Sequence, residues 1–165
     1  MPNSSHSPGG TGELFPDATL PTADGGSLTL GDFRPKRNLV MLMLGVGPLG
    51  PEVTHLLDAL AAGRREVEAE DGKVLAVTVA PRAVADWRWP FPLLLDRDGA
   101  LHGRVGAVDD AGQPAPALYV TDHFREIYVA MRPGERAWPT DASEVVQWLV
   151  FSNIQCPECG APVWD

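Results

Sequence analysis

The first 155 residues of this 165-residue chain contain no cysteine; both cysteines, Cys156 and Cys159, fall within the last ten. Two thiols at C-x-x-C spacing are too few and too close together to frame a secreted disulfide scaffold. Basic charge is also scarce: 13 Lys and Arg against 22 Asp and Glu leave a net charge of -9. That balance argues against a nucleic-acid partner, because phosphate binding depends on a basic surface that releases counterions. Long apolar runs are missing as well. The longest, Leu39 to Leu44, is far short of the about 20 residues that span a bilayer. The first residues have neither the basic head nor the apolar stretch of a signal peptide, so a cytoplasmic protein without a membrane partner is expected. Catalytic signatures are sparse: there is no Ser-His-Asp order, phosphate-binding glycine loop or nucleotide fingerprint. Asp96-Arg97-Asp98-Gly99 lacks the remaining ligands of an EF-hand.

What is present suits one domain with a buried core, at 44% hydrophobic and 21% charged residues. Residues 1–13, rich in Ser, Pro and Gly, read as a disordered tail. The ordered domain is expected over residues 14–151, with 152–165 as a C-terminal tail. The turn Asp24-Gly25-Gly26 precedes a short strand, Ser27 to Leu30. Leu39 to Leu44 is uniformly apolar and predicts a strand buried on both faces. After the loop Gly45 to Gly50, Pro51 and Glu52 open a helix. Val53, Leu56, Leu57, Leu60 and Val67 keep helical spacing until Asp71-Gly72. Lys73 to Val79 is a second buried strand, and strand–helix–strand implies a parallel pair. A short helix is expected over Val84 to Arg88 and an extended segment over Phe91 to Leu95. Leu118 to Val120 and Glu126 to Met131 form a hairpin. Asp141 to Glu144 reads as a capping box for a last helix with Val145, Trp148, Leu149 and Phe151 inward. The aromatic run Trp87-Arg88-Trp89-Pro90-Phe91 is read as buried surface or a partner-binding patch. The fold class is α/β, a central mixed sheet flanked by helices.

Several segments in this order carry a family likeness: Phe15-Pro16-Asp17-Ala18-Thr19-Leu20, Gly25 to Phe33, Leu39 to Leu44, Phe91 to Asp96, and Ala115 to Asp122. Together they resemble the thioredoxin fold, and more narrowly the alkyl hydroperoxide reductase and thiol-specific antioxidant (redoxin) family. The resemblance implies a thioredoxin-like protein of cell redox homeostasis. It also implies a reactive cysteine in the loop after the first core strand, at a helix start, where the dipole lowers a thiol pKa. Laying the family's Cys-Pro-x-Cys over this chain places Gly50 and Val53 at the cysteine positions and Pro51 at the proline. Neither Gly nor Val is a nucleophile. Pro116 matches the family's proline before the hairpin, where peroxiredoxins tend to carry an arginine that this chain lacks. Gly50, Pro51, Thr54 and Pro116 are the candidate substrate-binding residues, forming either a cysteine-free groove for a small ligand or peptide or a purely structural turn.

The pair Cys156-Pro157-Glu158-Cys159 has three readings. It is half of a zinc knuckle, with Cys156 and Cys159 as metal ligands, completed by the same pair from a second subunit of a homodimer or by histidine. His55, His102 and His123 have no ligand spacing to one another, so each reads as a surface or packing residue. Alternatively the pair is a catalytic dithiol, Cys156 attacking and Cys159 resolving, served by a thiol-redox partner protein. Its place after a helix C-terminus disfavours a highly reactive thiolate. In the third reading the cysteines are incidental. The function expected is therefore a redoxin-family protein, a thiol-dependent oxidoreductase or antioxidant where its chemistry is active. The alternative is a catalytically inactive binding or scaffold protein with a structural zinc knuckle at a dimer interface. Zinc is the one cofactor these readings invoke.

Overall fold

All six residues of the strand Asn38–Met43 are buried, and their alternation divides the interior in two. The computed structural model describes residues 9–33 and 36–154. Val40 and Leu42 point into one apolar cluster, and Leu39, Met41 and Met43 into the other. A strand with a period of two can serve both only if each face of its sheet is covered.

The elements run β1 (Thr19–Pro21), β2 (Ser27–Thr29), β3 (Asn38–Met43), α1 (Pro51–Ala62), α2 (Arg64–Ala69), β4 (Gly72–Thr78), β5 (Leu93–Leu95), α3 (Ala100–Val105), β6 (Ala117–Thr121), β7 (Ile127–Met131) and α4 (Ala142–Ile154). The main sheet has the order β5-β4-β3-β6-β7, with β3 in the middle. β3 pairs parallel with β4, and β4 with β5, while β6 is antiparallel to both β3 and β7. β1 and β2 form a separate antiparallel ribbon. Val53, Leu56, Leu57 and Leu60 of α1, Val67 of α2, and Val145 and Leu149 of α4 fill one cluster. Leu101 and Val105 of α3, with Phe15 and Leu30, fill the other. This is the α/β architecture expected, a mixed sheet with helices on both faces.

Differences from the sequence reading have local causes. The expected single helix after Pro51 breaks at Gly63, where a Cβ would stand 2.4 Å from the Ala142 Cβ at the start of α4. The helix expected over Val84 to Arg88 is instead a single 3-10 turn at Pro81–Val84. The following aromatics turn inward, Trp89 donating to Asp58 Oδ1 at 2.8 Å and Trp87 to the Phe91 carbonyl at 3.1 Å. In α4 the buried stripe is Val145, Leu149 and Ser152. Phe151, expected inward, is 55% exposed and meets the Tyr128 ring edge-on. The α4 box is shifted by one residue: Asp141 accepts the Ser143 N–H, and Glu144 reaches back to the Thr140 N–H. The chain joins the sheet ahead of Leu14, since Gly12 and Glu13 exchange backbone hydrogen bonds with Ile127. Cys156, Cys159 and Trp164 lie outside the described residues, and with them the C-terminal knuckle.

Candidate functional site

At the carboxyl end of β3 the chain passes through Gly45 to Gly50 and enters α1. Gly50 is the N-cap of that helix, at φ -73° and ψ 167°, and its carbonyl accepts the Thr54 N–H at 3.1 Å. A Cβ built on Gly50 meets no atom within 4 Å. The position has room for a side chain and carries none. Pro51 follows as an exposed first helical residue, and Thr54 is half-buried. Val53 is buried among the leucines of α1 and the sheet, so the second family cysteine position has become a packing position. His55 is not available to activate the neighbouring Thr54. Its Nε2–H donates to the Thr140 carbonyl at 2.8 Å, tying α1 to the entry of α4.

Pro116 stands immediately before β6, whose first residue, Ala117, pairs with Met43. The loop ahead of it presses on Gly45. A Cβ at Gly45 would lie 3.0 Å from both the Pro114 carbonyl oxygen and the Ala115 Cα, and the residue sits at φ 71°. Glycine meets both demands, the left-handed backbone and the close approach. The fold thus brings Gly50, Pro51, Thr54 and Pro116 to the same edge of the sheet.

Beneath that edge lies a pair that the sequence reading had taken for separate features. His102 is fully buried. Its Nε2 accepts the Gly45 N–H at 3.0 Å, and its ring Nδ1 lies 2.8 Å from Asp96 Oδ2. A backbone N–H only donates, so Nε2 is the bare nitrogen and the proton resides on Nδ1, which donates to Asp96. Asp96 also accepts the N–H groups of Leu101 and His102, capping α3. Burial alone would raise the Asp96 carboxyl, but the hydrogen bonds from His102 and Leu101 outweigh it and hold the group below the usual carboxylate range. Burial pushes His102 below the ordinary imidazole value, and the attraction of Asp96 only partly offsets this. Nearby, burial pushes the Tyr119 hydroxyl up to about 12 while it donates to the Val105 carbonyl at 3.0 Å. The sequence signal for the dyad was the turn Asp96-Arg97-Asp98-Gly99 with a histidine six residues after the aspartate. This is a helix cap whose carboxylate has a second lone pair to share.

The opposite edge of the sheet is where α4 ends. Asn153 accepts from Asn38 Nδ2 at 2.7 Å, and its own amide donates to the Glu70 carbonyl at 3.1 Å. Asn38 begins β3, so this edge lies about 17 Å along the strand from Met43 at its carboxyl end, at 3.3 Å per residue. His123, in the β6–β7 turn, sits there too, its Nε2 3.8 Å from Asp71 Oδ2. Cys156 follows Ile154, the last residue of α4, by two positions.

The structure superposes on solved structures of the same fold. Peroxidoxin BcpB from Mycobacterium tuberculosis matches at a TM-score of 0.69 and 18% identity, over 88% of this chain and 97% of that one. Mycobacterium tuberculosis AhpC matches at 0.69 and 19%, over 87% and 97%. Plasmodium yoelii thioredoxin peroxidase I matches at 0.70 and 11%, over 94% and 99%. At these identities the likeness is one of fold. No curated protein sequence matches the chain. Residues 11–130 match the AhpC/TSA family, and on that match, with the architecture agreeing, the chain belongs to the AhpC/TSA family.

Proposed function

We propose that this redoxin-family protein works in redox homeostasis through Cys156 and Cys159, with the Gly50 edge serving to dock a substrate or partner. The observation that carries the reading is the open, sulfur-free N-cap of α1 together with the packed Val53. The family's usual position offers no thiol, and the chain's two thiols lie together in its tail. In the proposed cycle the Cys156 thiolate attacks a hydroperoxide. The O–O bond breaks, the sulfur becomes a sulfenic acid and the distal fragment leaves as alcohol or water. The Cys159 thiol then condenses with the sulfenic acid, expelling water and forming the disulfide. A dithiol partner protein returns two electrons and two protons. Such a cycle suits a reducing compartment, and the cytoplasm is the location proposed.

A second reading is favoured by the exposure of Phe151 and Ile154, 55% and 70%, just before the pair. In it the protein is an inactive scaffold whose apolar helix end and zinc knuckle meet a second copy. Peroxide consumption coupled to dithiothreitol or thioredoxin separates the two. The redox reading requires turnover that Cys156→Ser abolishes without loss of fold. A wild-type protein with no turnover, in which Cys156→Ser lowers the native mass or the melting temperature, establishes the scaffold instead.

A further inference from the structure

We propose that His102 is an acid-operated latch: a proton taken up on its Nε2 releases the Gly45 N–H, and with it the loop from Gly45 to Gly50, while the rest of the fold holds. The inference goes beyond the proposed docking and thiol chemistry and depends on neither. It concerns what keeps the edge around Gly50 in place.

Few bonds hold this loop. At its root the Gly45 carbonyl accepts the Val79 N–H at 3.1 Å, and the Gly45 N–H is held by His102 at 3.0 Å. The next backbone bond along the chain runs from the Thr54 N–H to the Gly50 carbonyl, already at the start of α1. Among the described residues nothing hydrogen-bonds the backbone of Val46 to Leu49, and Val46 and Pro48 are exposed.

A buried amide is ordinarily satisfied by a carbonyl, whose capacity to accept does not change with pH. Here the acceptor is a nitrogen that can take a proton. Nδ1 already carries its hydrogen toward Asp96 at 2.8 Å, so Nε2 is the ring atom open to protonation. Once protonated it presents an N–H to the Gly45 N–H, and two donors face each other in a buried site. The Gly45 N–H has no second acceptor among the described residues. Pro114 and Ala115 also crowd Gly45, so the strain is relieved outward, into the loop.

The same geometry confines the change. Asp96 is held below the usual carboxylate range, so it stays ionised where an imidazole titrates, and the imidazolium forms with its counter-ion already 2.8 Å away. Asp96 also keeps the Leu101 and His102 N–H groups, so α3 remains capped. Among the described residues Asp96 is the charged group that acts on the ring. Arg97 and Asp98 beside it are exposed, as are Asp109 and Asp110 in the following loop. Arg104, on the same helix, donates to the Asp17 carbonyl. Tyr119 of β6, its hydroxyl pushed up to about 12, stays neutral. Lys73 of β4 pairs with Leu39, at the far end of the sheet. β3, β5 and the Gly45 loop bring no ionisable side chain. Burial holds the ring below the ordinary imidazole value, so the latch stays shut at neutral pH, opens in acid and closes again as pH rises.

The test uses the full chain, isotope-labelled for magnetic resonance and kept reduced. Side-chain nitrogen spectra follow the His102 ring from about pH 7.5 downward. Amide hydrogen exchange, corrected for the intrinsic effect of pH, follows Gly45 alongside Leu42 and Val120 in the centre of the sheet. As the ring titrates, Gly45 should lose protection at least about tenfold while Leu42 and Val120 change less than about twofold. His102→Gln, which offers an acceptor that takes no proton, should remove the pH dependence at Gly45. Gly45 protection unchanged across the ring's titration overturns the proposal, as does a loss shared equally with Leu42 and Val120. A ring that takes no proton before the sheet opens, or the same transition in His102→Gln, overturns it too. The readout involves neither thiol nor partner, so each of these outcomes leaves the proposed peroxide chemistry where it stood.

Discussion

The His102 ring joins two parts of the chain that never touch in sequence: Nε2 receives the Gly45 N–H at 3.0 Å and Nδ1–H is held by Asp96 at 2.8 Å. The dyad fixes the take-off of the loop leading to Gly50 while capping α3. Its protonation states give a pH signature. In the unfolded chain His102 takes a proton near 6.5, whereas in the folded protein burial holds it below that value. Below about pH 6.5 the unfolded state therefore binds more protons, and stability falls with pH until the folded group titrates. Asp96, held below 3.8 when folded, adds a second loss of the same sign below that pH. Urea unfolding between pH 7.5 and 5 should show the first slope, and His102→Gln should flatten it. His102→Leu should cost about 1–3 kcal/mol through the buried Gly45 N–H left without its acceptor, while Asp96 keeps the Leu101 and His102 N–H groups.

Gly50→Cys restores a thiol at a helix start with no atom within 4 Å of the new Cβ. The melting temperature should move little. The introduced thiol should alkylate with an apparent pKa below the about 8.5 of a free cysteine, because α1 ends its dipole there. In a Cys156→Ser, Cys159→Ser background, iodoacetamide labelling across pH reads that thiol alone.

Gly63 and Gly47 make a matched pair. A Cβ at Gly63 would lie 2.4 Å from Ala142, whereas one at Gly47 meets nothing within 4 Å. Gly63→Ala should destabilise by about 1–3 kcal/mol through overpacking. Gly47→Ala should be close to neutral, and chemical denaturation of the two variants checks the contrast.

On α4, Leu149 is fully buried and Phe151 is 55% exposed. Leu149→Ala should lose about 2–5 kcal/mol. Phe151→Ser should leave the unfolding free energy of the monomer nearly unchanged and, where copies associate through this face, reduce association in sedimentation.

Much of the fold was written in the hydrophobic spacing. Leu39 to Leu44 announced a doubly covered strand because every residue of it is apolar, and Val53, Leu56, Leu57 and Leu60 set the inward face of α1 by period alone. Phe151 was misplaced because it neighbours the Val145–Leu149–Ser152 stripe without belonging to it, and hydrophobicity does not report the rotation of a helix. The helix expected over Val84 to Arg88 was misread because the aromatics there are satisfied by single hydrogen bonds from Trp87 and Trp89, not by a periodic pattern. At the site, the absence of a thiol at Gly50 and Val53 was legible directly. The His102–Asp96–Gly45 link was not, since it joins residues 57 apart through a fold-dependent contact. His123 carried no motif, and its place beside Asp71 follows from strand order alone.

The two edges of the sheet differ in kind: one holds the Gly45 loop, Gly50 and Pro116, the other Asn38, Asn153 and the exit toward the thiols. Side chains separated by more than about 7–10 Å with no shared partner contribute independently to free energy. A double-mutant cycle between Pro116 and Asn153 should therefore show no coupling. The protein can lose or remodel one end while the other keeps its stability, so the docking proposed for the Gly50 end and the chemistry proposed for the cysteines can be varied separately.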